Sequence, residues 1–207
     1  MGMEKTERGW RGTPDLWLDA GYGLLVEGGV EAVKIMPLAE RLGLSRTSFY
    51  WHFADREALL AGLVARWQAK NTGNLVARCE APAATITEAR LNLFDCWYDD
   101  ALFDSRLEFA MRTWALTDAT VAAAMSAADA ERVAAITTLF RRFGYSETEA
   151  DTRARTLYLT QVGYIALRSE ESLEIRMGRN PAYVLTFSGV APTEAEIAAF
   201  QARHQVR

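Results

Sequence analysis

Six residues between positions 46 and 52 carry side chains that can hydrogen-bond to nucleic acid. They are Arg46, Thr47, Ser48, Tyr50, Trp51 and His52. The guanidinium of Arg46 presents paired N–H donors that match O6 and N7 of guanine, so it is the candidate for recognising a base. The hydroxyls of Thr47 and Ser48 can reach bases or phosphates, and Tyr50 and His52 are candidates for phosphate contacts. For Tyr50 and Trp51 the alternative is packing against neighbouring residues.

These side chains can contact DNA only if they lie on an exposed helix, and the preceding residues predict one. Leu38 and Leu42 lie about one helical turn apart and can pack inward together. Gly43 follows where a helix commonly ends in a left-handed residue. Ser45 is a suitable N-cap for a second helix over residues 46–53. The spacing predicts a helix-turn-helix motif whose second helix enters the major groove.

The flanking sequence supplies the supporting helices. A threonine–proline pair at 13–14 predicts the start of a first helix, and a glycine pair at 28–29 predicts its end. Pro37 is tolerated only in a first turn, so it fixes the start of the helix before the corner. Asp55 predicts the N-cap of a further helix that continues to about Cys79.

The phrase LAERLGLSRTSFYWHF and the following ADREALLAGLV are similar to the helix-turn-helix region of the tetracycline-repressor (TetR) family of bacterial transcription regulators. The resemblance covers the first quarter to third of the chain. It implies a regulator, a repressor in the simplest case, that binds operator DNA as a homodimer and is released by a small-molecule effector. It also implies that the last two long helices pair with those of a second copy. By their order along the chain, segments 147–168 and 172–187 correspond to these two helices.

The resemblance extends the predicted DNA-binding set beyond the recognition helix. The family usually has threonine or serine, then a basic or polar residue, where this chain has Ile35 and Met36. Lys34 is expected to make the phosphate contacts that residues at these two positions usually make. Arg56 is expected to bind phosphate at the start of a helix. At Trp51 this chain resembles those family members that have an aromatic residue at the same position. The full predicted set is Lys34, Ser45, Arg46, Thr47, Ser48, Tyr50, Trp51, His52 and Arg56.

Aromatic residues with a few polar ones among them recur along the helices predicted after residue 85. A cavity lined in this way is typical of a small-molecule site, although the rings would also serve as core. The predicted ligand-binding set is Phe94, Trp97, Tyr98, Phe109, Arg112, Trp114, Tyr158 and Gln161. Arg112 suggests an anionic or carbonyl-bearing ligand, but a salt bridge to Asp95 or Glu108 explains it equally well.

No stretch shows sustained strand alternation, so we predict an all-α protein. We expect an N-terminal arm and helix-turn-helix domain at 1–56, a connecting helix at 57–80, and an effector-binding and dimerisation domain at 81–207. Within this last part, a helix is expected to be interrupted near Asn180-Pro181.

Residues 1–12 have the composition of a loose arm. Lys5, Arg8 and Arg11 in this arm could touch phosphates or a minor groove, although a solvated tail is the simpler interpretation.

Composition restricts the class of protein. Half of the 207 residues are hydrophobic and 24% are charged, which is typical of an ordered globular chain. The net charge of −4 does not favour DNA binding, but binding depends on local rather than total charge. No apolar run approaches the roughly 20 residues of a membrane helix, and the polar amino terminus lacks a signal segment. We therefore expect a cytoplasmic protein with no membrane partner.

Other functional classes receive less support. The sequence contains no nucleophile elbow, phosphate-cradling glycine loop, HExxH or CxxC motif, so no catalytic residue, metal or cofactor is expected. His52 and His204 are the two histidines and do not suggest a metal site. Cys79 and Cys96 are expected to be ordinary thiols, with a redox sensor as the alternative. A helical interaction protein that has lost DNA binding is an alternative with which Met36 and the net acidity are compatible, although Ser45, Tyr50 and His52 argue against it.

Overall fold

The computed structural model describes residues 11–204, and all regular structure within this range is helical, which confirms the all-α prediction. The α-helices in this range are α1 (Pro14–Gly28), α2 (Ile35–Leu42), α3 (Arg46–Phe49), α4 (Arg56–Trp67), α5 (Asn74–Glu80), α6 (Ile86–Tyr98), α7 (Ser105–Ala115), α8 (Ala119–Arg142), α9 (Glu147–Ala166), α10 (Leu173–Ser188) and α11 (Glu194–His204). A short 3-10 turn covers Val30–Ala32. A π-helical segment, Gln68–Gly73, joins α4 to α5 without a break.

Side-chain caps set most of the helix starts. In each case an oxygen of the capping side chain accepts a hydrogen bond from a backbone N–H two or three residues later, which satisfies a donor that the helix leaves unpaired. The predicted caps that the structure confirms are Thr13, Ser45 and Asp55. Later helices are capped in the same way by Thr85, Asp104, Asp118, Ser146 and Thr193.

The first four helices form a small unit, which we call the head. Its core contains the side chains of Trp17, Leu38, Phe49 and Leu59, each without exposed surface. The same apolar cluster continues into α7 and the first half of α8, where Met111 is also fully buried. The head is therefore packed directly on the remaining helices, which we call the body.

The body has its own apolar core between α5, α6, α8, α9, α10 and α11. The C-terminal helix is held against α6 by the buried ring of Phe200, whose centroid lies 5.3 Å from that of Tyr98. Asp95 is buried beside it and pairs with Arg203 at 3.1 Å and with His204 at 2.8 Å. Asp95 is thus occupied by the C-terminal helix and does not pair with Arg112.

Two predicted helix boundaries were wrong. The helix after Ser45 ends at Phe49 and not at Phe53, and the next residues form a turn. The expected interruption near Asn180-Pro181 is absent, because α10 runs through Pro181 without a break. An internal proline costs a helix about 3 kcal/mol. Burial of Val184 and a hydrogen bond of 2.8 Å from the Tyr98 hydroxyl to Asn180 hold the two halves of α10 together.

Both cysteines lie in the body core and neither forms a disulfide. Burial raises the pKa of Cys79 and that of Cys96 to about 12, so the reactive thiolate is strongly disfavoured at neutral pH. Between residues 11 and 204, no helix combines the length and apolar character that crossing a membrane requires.

Candidate nucleic-acid interface and ligand cleft

The corner between α2 and α3 is built as the sequence predicts. Gly43 has a φ of +63°, a left-handed conformation that costs least for a residue without Cβ. Its N–H donates to the carbonyl of Glu40 at 3.2 Å, and the N–H of Leu44 donates to the carbonyl of Ala39 at 2.9 Å. This pair of bonds is a Schellman motif, which ends α2 and turns the chain.

Aromatic packing holds α3 against α1 from below. The ring of Phe49 meets Trp17 edge to face at 5.4 Å and stacks on Phe53 at 5.5 Å. Ser45 caps α3 by accepting a hydrogen bond of 3.2 Å from the N–H of Ser48. The opposite side of this segment faces away from the core as a result.

The outward side of this segment, together with the start of α2, forms a surface that we call the recognition ridge. Five predicted DNA-binding residues are exposed there. They are Lys34, Arg46, Thr47, Tyr50 and Trp51. Tyr50 is 50% exposed and Trp51 is 62% exposed, so packing accounts for only part of either ring. Ser45 is also exposed, although its hydroxyl is occupied by the cap.

Three other residues of the predicted set are placed differently. Ser48 is only 7% exposed, and its hydroxyl lies 3.0 Å from that of Ser45. The guanidinium of Arg56 donates to the carbonyls of Val33 at 2.6 Å and Val30 at 2.8 Å, so it closes the turn before α2. His52 is half-buried, with its Nε2 3.3 Å from a backbone carbonyl oxygen.

That carbonyl belongs to Arg11, which connects the arm to the recognition ridge. The Arg11 guanidinium lies 3.7 Å from the centre of the Trp51 ring, a cation–π contact. The indole N–H of Trp17 donates to the same Arg11 carbonyl at 3.2 Å. The positive charge of Arg11 is thereby held beside the exposed aromatic residues. Lys5 and Arg8 lie outside the described residues.

A cleft of about 830 Å³ lies between the head and the body, and we call it the head–body cleft. Its head side is formed by the end of α1 and the turn after it, and its body side by α7, α9 and the chain following α9. Four members of the predicted ligand-binding set line it. These are Trp97, Phe109, Trp114 and Gln161.

The other four predicted ligand residues do not line this cleft. Phe94 is buried in the body core, and the hydroxyl of Tyr98 is bonded to α10. Arg112 forms a two-pronged salt bridge with Asp129, at 2.6 and 3.1 Å, and also meets Glu108 and the Tyr158 hydroxyl. These contacts engage both terminal nitrogens of Arg112, while its buried Nε has no acceptor within residues 11–204.

Arg112 belongs to a buried polar network that joins the body to the π-helical segment. Glu108 has no exposed surface and pairs with Arg132 at 2.8 Å. The same carboxylate accepts hydrogen bonds from Trp67 at 2.6 Å and from Asn71 at 2.9 Å. Burial alone would raise the pKa of Glu108, but Arg132 and the other donors outweigh it and hold the pKa below its ordinary value.

The sequence analysis missed this network, although one signal was available. Arg132 occupies a position of α8 at which the apolar spacing of Met125, Ala128 and Ile136 calls for a core residue. A charged residue at such a position predicts a buried partner. The identity of the partner depends on which helices pack together, and the pattern within one helix does not specify that.

Known proteins resemble this chain in two ways, in the sequence of the head and in the fold of nearly the whole chain. The family model for "Bacterial regulatory proteins, tetR family" matches residues 18–63, which contain the corner and the recognition ridge. The tetracycline repressor protein class A from transposon 1721 of Escherichia coli is 37% identical over 67 residues. The head of this chain is therefore similar to that of the TetR family. The aligned part is 32% of this chain and 31% of the repressor, so the sequence likeness is confined to about a third of each.

The likeness in fold extends over nearly the whole chain. A protein of Mesorhizobium loti assigned to the TetR family matches 92% of this chain and 95% of its own, with a TM-score of 0.57 and 15% identity. A transcriptional regulator of Rhodococcus sp. Rha1 matches 95% of this chain and 100% of its own, with a TM-score of 0.60 and 19% identity. At these identities the likeness is one of fold alone.

The proteins that this chain resembles are described as regulators. Within residues 11–204, no group of three or more histidine, cysteine or acidic side chains has an arrangement that could hold a metal ion.

Proposed function

We propose that this chain is a transcriptional repressor that binds operator DNA as a homodimer and is released by a small-molecule effector. The observation that carries the proposal is the recognition ridge, where the corner presents Arg46, Thr47, Tyr50 and Trp51 to solvent. Arg46 at the helix start suits a base contact, because the first residues of such a helix approach the base edges. Lys34 and Tyr50 suit phosphate contacts on either side.

A homodimer is supported by the outer faces of α9 and α10. Large apolar side chains there are exposed in the single chain, and an apolar surface of this kind marks an interaction site. They are Leu159, Leu167, Leu173, Ile175 and Leu185. Pairing of these helices with those of a second copy would set two recognition ridges in successive major grooves, about 34–36 Å apart.

An effector site is supported by the head–body cleft, whose volume suits a small organic molecule. The domain limits proposed at 56/57 and 80/81 place this cleft between the DNA-binding part and the effector-binding part. A ligand in the cleft would contact both parts, so it could favour a head position that is wrong for the operator.

Fluorescence anisotropy with the promoter beside this gene tests DNA binding directly. We expect Arg46→Ala to weaken binding by about 1–3 kcal/mol and to relax sequence preference. Tyr50→Phe should weaken binding to all sequences alike. Arg141→Ala is the matched control, because Arg141 is exposed at the end of α8, outside the recognition ridge and outside the proposed dimer helices.

The titrations are repeated at several salt concentrations. DNA affinity should fall as salt rises, since phosphate neutralisation releases counterions. If the protein fails to bind DNA at low salt, the chain is better described as a helical interaction protein that has lost DNA binding.

A further inference from the structure

We infer that the head–body cleft takes an amphipathic molecule with a single negative charge, and that this molecule acts on the helix-turn-helix directly. The inference rests on the proposed effector response and adds the class of effector and its route to the DNA-binding surface. Three features of the cleft support it: the balance of its charges, its aromatic walls, and its bonds to α2 and α4.

The seven charged residues that line the cleft sum to −1, but two of their carboxylates are paired with arginines outside the lining, and the remaining five carry an excess of one positive charge. The charged lining residues are Glu27, Asp100, Arg106, Arg168, Glu170, Glu171 and Arg176. Glu27 is paired with Arg41 at 2.7 Å, and Glu171 is paired with Arg179 at 2.6 Å. The other five form no ion pair within residues 11–204. Three arginines then face two carboxylates, and one anionic group on a ligand would complete the balance.

The walls of the cleft suit an apolar ligand body. Phe109 and Trp114 offer ring surfaces on the body side, and Leu25 and Val26 line the head side. The guanidinium of Arg168 lies 5.5 Å from the centre of the Phe109 ring, so a charge and an aromatic surface adjoin each other. Arg168 also has a φ of +50°, which is unusual for a residue with a side chain. This conformation ends α9 in a Schellman motif, in which the N–H of Arg168 donates to the carbonyl of Ile165 and the N–H of Ser169 donates to that of Tyr164, each at 3.1 Å.

Two bonds join the cleft to the helices that flank α3. Glu27, which lines the cleft, bonds both of its carboxylate oxygens to the Arg41 guanidinium on α2, at 2.7 and 2.8 Å. Val30 also lines the cleft, and its carbonyl accepts a hydrogen bond of 2.8 Å from Arg56 at the start of α4. A ligand that moves the end of α1 therefore shifts α2 and the start of α4 directly, without first moving the body end of the connecting helix.

A pair of dyes tests the class of ligand. The probe is 8-anilinonaphthalene-1-sulfonate, an aromatic monoanion, and its comparison is N-phenyl-1-naphthylamine, which lacks the sulfonate. Both are titrated by fluorescence with the wild type and with the variants Arg106→Gln and Arg168→Gln. We expect each variant to weaken binding of the anionic dye by about tenfold and to leave the neutral dye within about twofold. The control Arg141→Gln, at the exposed end of α8 and outside the cleft, should change neither.

Equal binding of the two dyes by the wild type would overturn the assignment of an anion. So would anionic-dye binding that is unchanged in both cleft variants, since the dye would then occupy the apolar face of α9 and α10 or another surface. These titrations need no DNA, so they succeed or fail independently of the proposed repressor function.

The route to the head is tested with Arg41→Met, which lies outside the cleft. Arg41 and Glu27 are 40% and 54% exposed at their side chains, so the substitution should preserve the fold. We expect anionic-dye binding to be retained, while the dye-induced loss of DNA affinity shrinks by about two- to fivefold, the range of a surface ion pair. Arg56→Met, which removes the bond to the Val30 carbonyl, should also reduce the dye-induced loss of DNA affinity. If both variants respond to the dye as the wild type does, the direct route is wrong.

Discussion

At the scale of single residues, the two arginines on either side of the corner have different roles. Arg46 is exposed on the recognition ridge, whereas Arg56 donates to two backbone carbonyls. We expect Arg56→Met to lower the free energy of unfolding by about 1.5–3 kcal/mol, the range for hydrogen bonds from a charged group. Arg46→Met should leave stability within about 0.5 kcal/mol. Urea denaturation of both variants measures this, and equal stabilities would show that the Arg56 contacts are not maintained in solution.

Arg90 is a second residue whose effect on stability can be predicted. Its side chain is fully buried among Phe94, Phe140 and Phe187, with the guanidinium carbon 4.9–5.6 Å from their ring centres. No protein atom within residues 11–204 accepts a hydrogen bond from its nitrogens. Burial lowers the pKa of Arg90 to about 9, because the charged form is costly to hold away from water.

Replacing Arg90 with an apolar residue of similar length should therefore stabilise the fold. We expect Arg90→Met to raise the free energy of unfolding by about 1–4 kcal/mol at pH 7. The gain should shrink once the pH passes about 9, where the folded wild type loses this charge. Arg132→Met is the control of opposite sign, because it leaves the buried Glu108 without its main partner. A destabilised Arg90→Met protein would show that Arg90 has a partner in solution.

At the scale of elements, helix starts could be predicted from the sequence and helix contacts could not. Ser45, Asp55 and Thr85 cap their helices through residues two or three positions ahead, so a local pattern contains all the information. Pro181 was misjudged because the packing that keeps α10 continuous comes from α6. Ser48 was assigned to DNA because of its place on the predicted helix, and Arg56 because of its charge at a helix start. In the structure Ser48 contacts Ser45, and Arg56 donates to backbone carbonyls before α2. These contacts depend on how the chain folds back on itself, which the spacing does not specify.

The π-helical segment is an element whose stability depends on the buried network. Asn71 has no exposed surface and bonds to Glu108 as well as to the backbone of Asp104. Glu108→Gln removes a charge that Arg132 needs, so we expect it to cost about 3–5 kcal/mol at pH 7. Thermal or urea unfolding measures the loss. A loss below about 1 kcal/mol would mean that water or another group replaces the carboxylate.

The pH dependence of this effect follows from the direction of the pKa shift. The folded pKa of Glu108 lies below its ordinary value of 4.5, so the unfolded chain binds this proton more readily. The stabilisation that the ionised Glu108 gives to the fold is complete above pH 4.5, and it is lost as the pH falls through the folded pKa of Glu108. The difference in stability between wild type and Glu108→Gln should therefore be constant near neutrality and narrow in acid.

At the scale of the whole molecule, the helix-turn-helix was predictable because its signals lie within about twenty consecutive residues. The head–body cleft was only partly predictable. Trp97, Phe109, Trp114 and Gln161 were expected to bind a ligand and do line the cleft, but the head side of the cleft was not expected. Residues of α1 and α9 are more than 100 positions apart in the chain, and only the packed fold shows that they share a wall.

The proposed homodimer gives the last prediction, because DNA affinity should depend on both copies. Leu159 is 62% exposed on α9 and Leu185 is 47% exposed on α10, so a charge at either position costs little in the isolated chain. In a dimer, the same charge would be buried against the partner without a counter-ion. We expect Leu159→Asp and Leu185→Asp to give monomers in analytical ultracentrifugation and to lose most of their operator affinity.

Leu116→Asp is the matched control, since Leu116 is 84% exposed and lies beyond the end of α7. It should remain dimeric and bind DNA as the wild type does. A dimer that persists in both Leu159→Asp and Leu185→Asp would place the interface elsewhere. Loss of DNA binding without loss of the dimer would mean that these substitutions act through the fold, which circular dichroism would detect. Recognition by paired ridges is supported only if a variant loses both dimerisation and operator binding while its helical circular dichroism signal is unchanged.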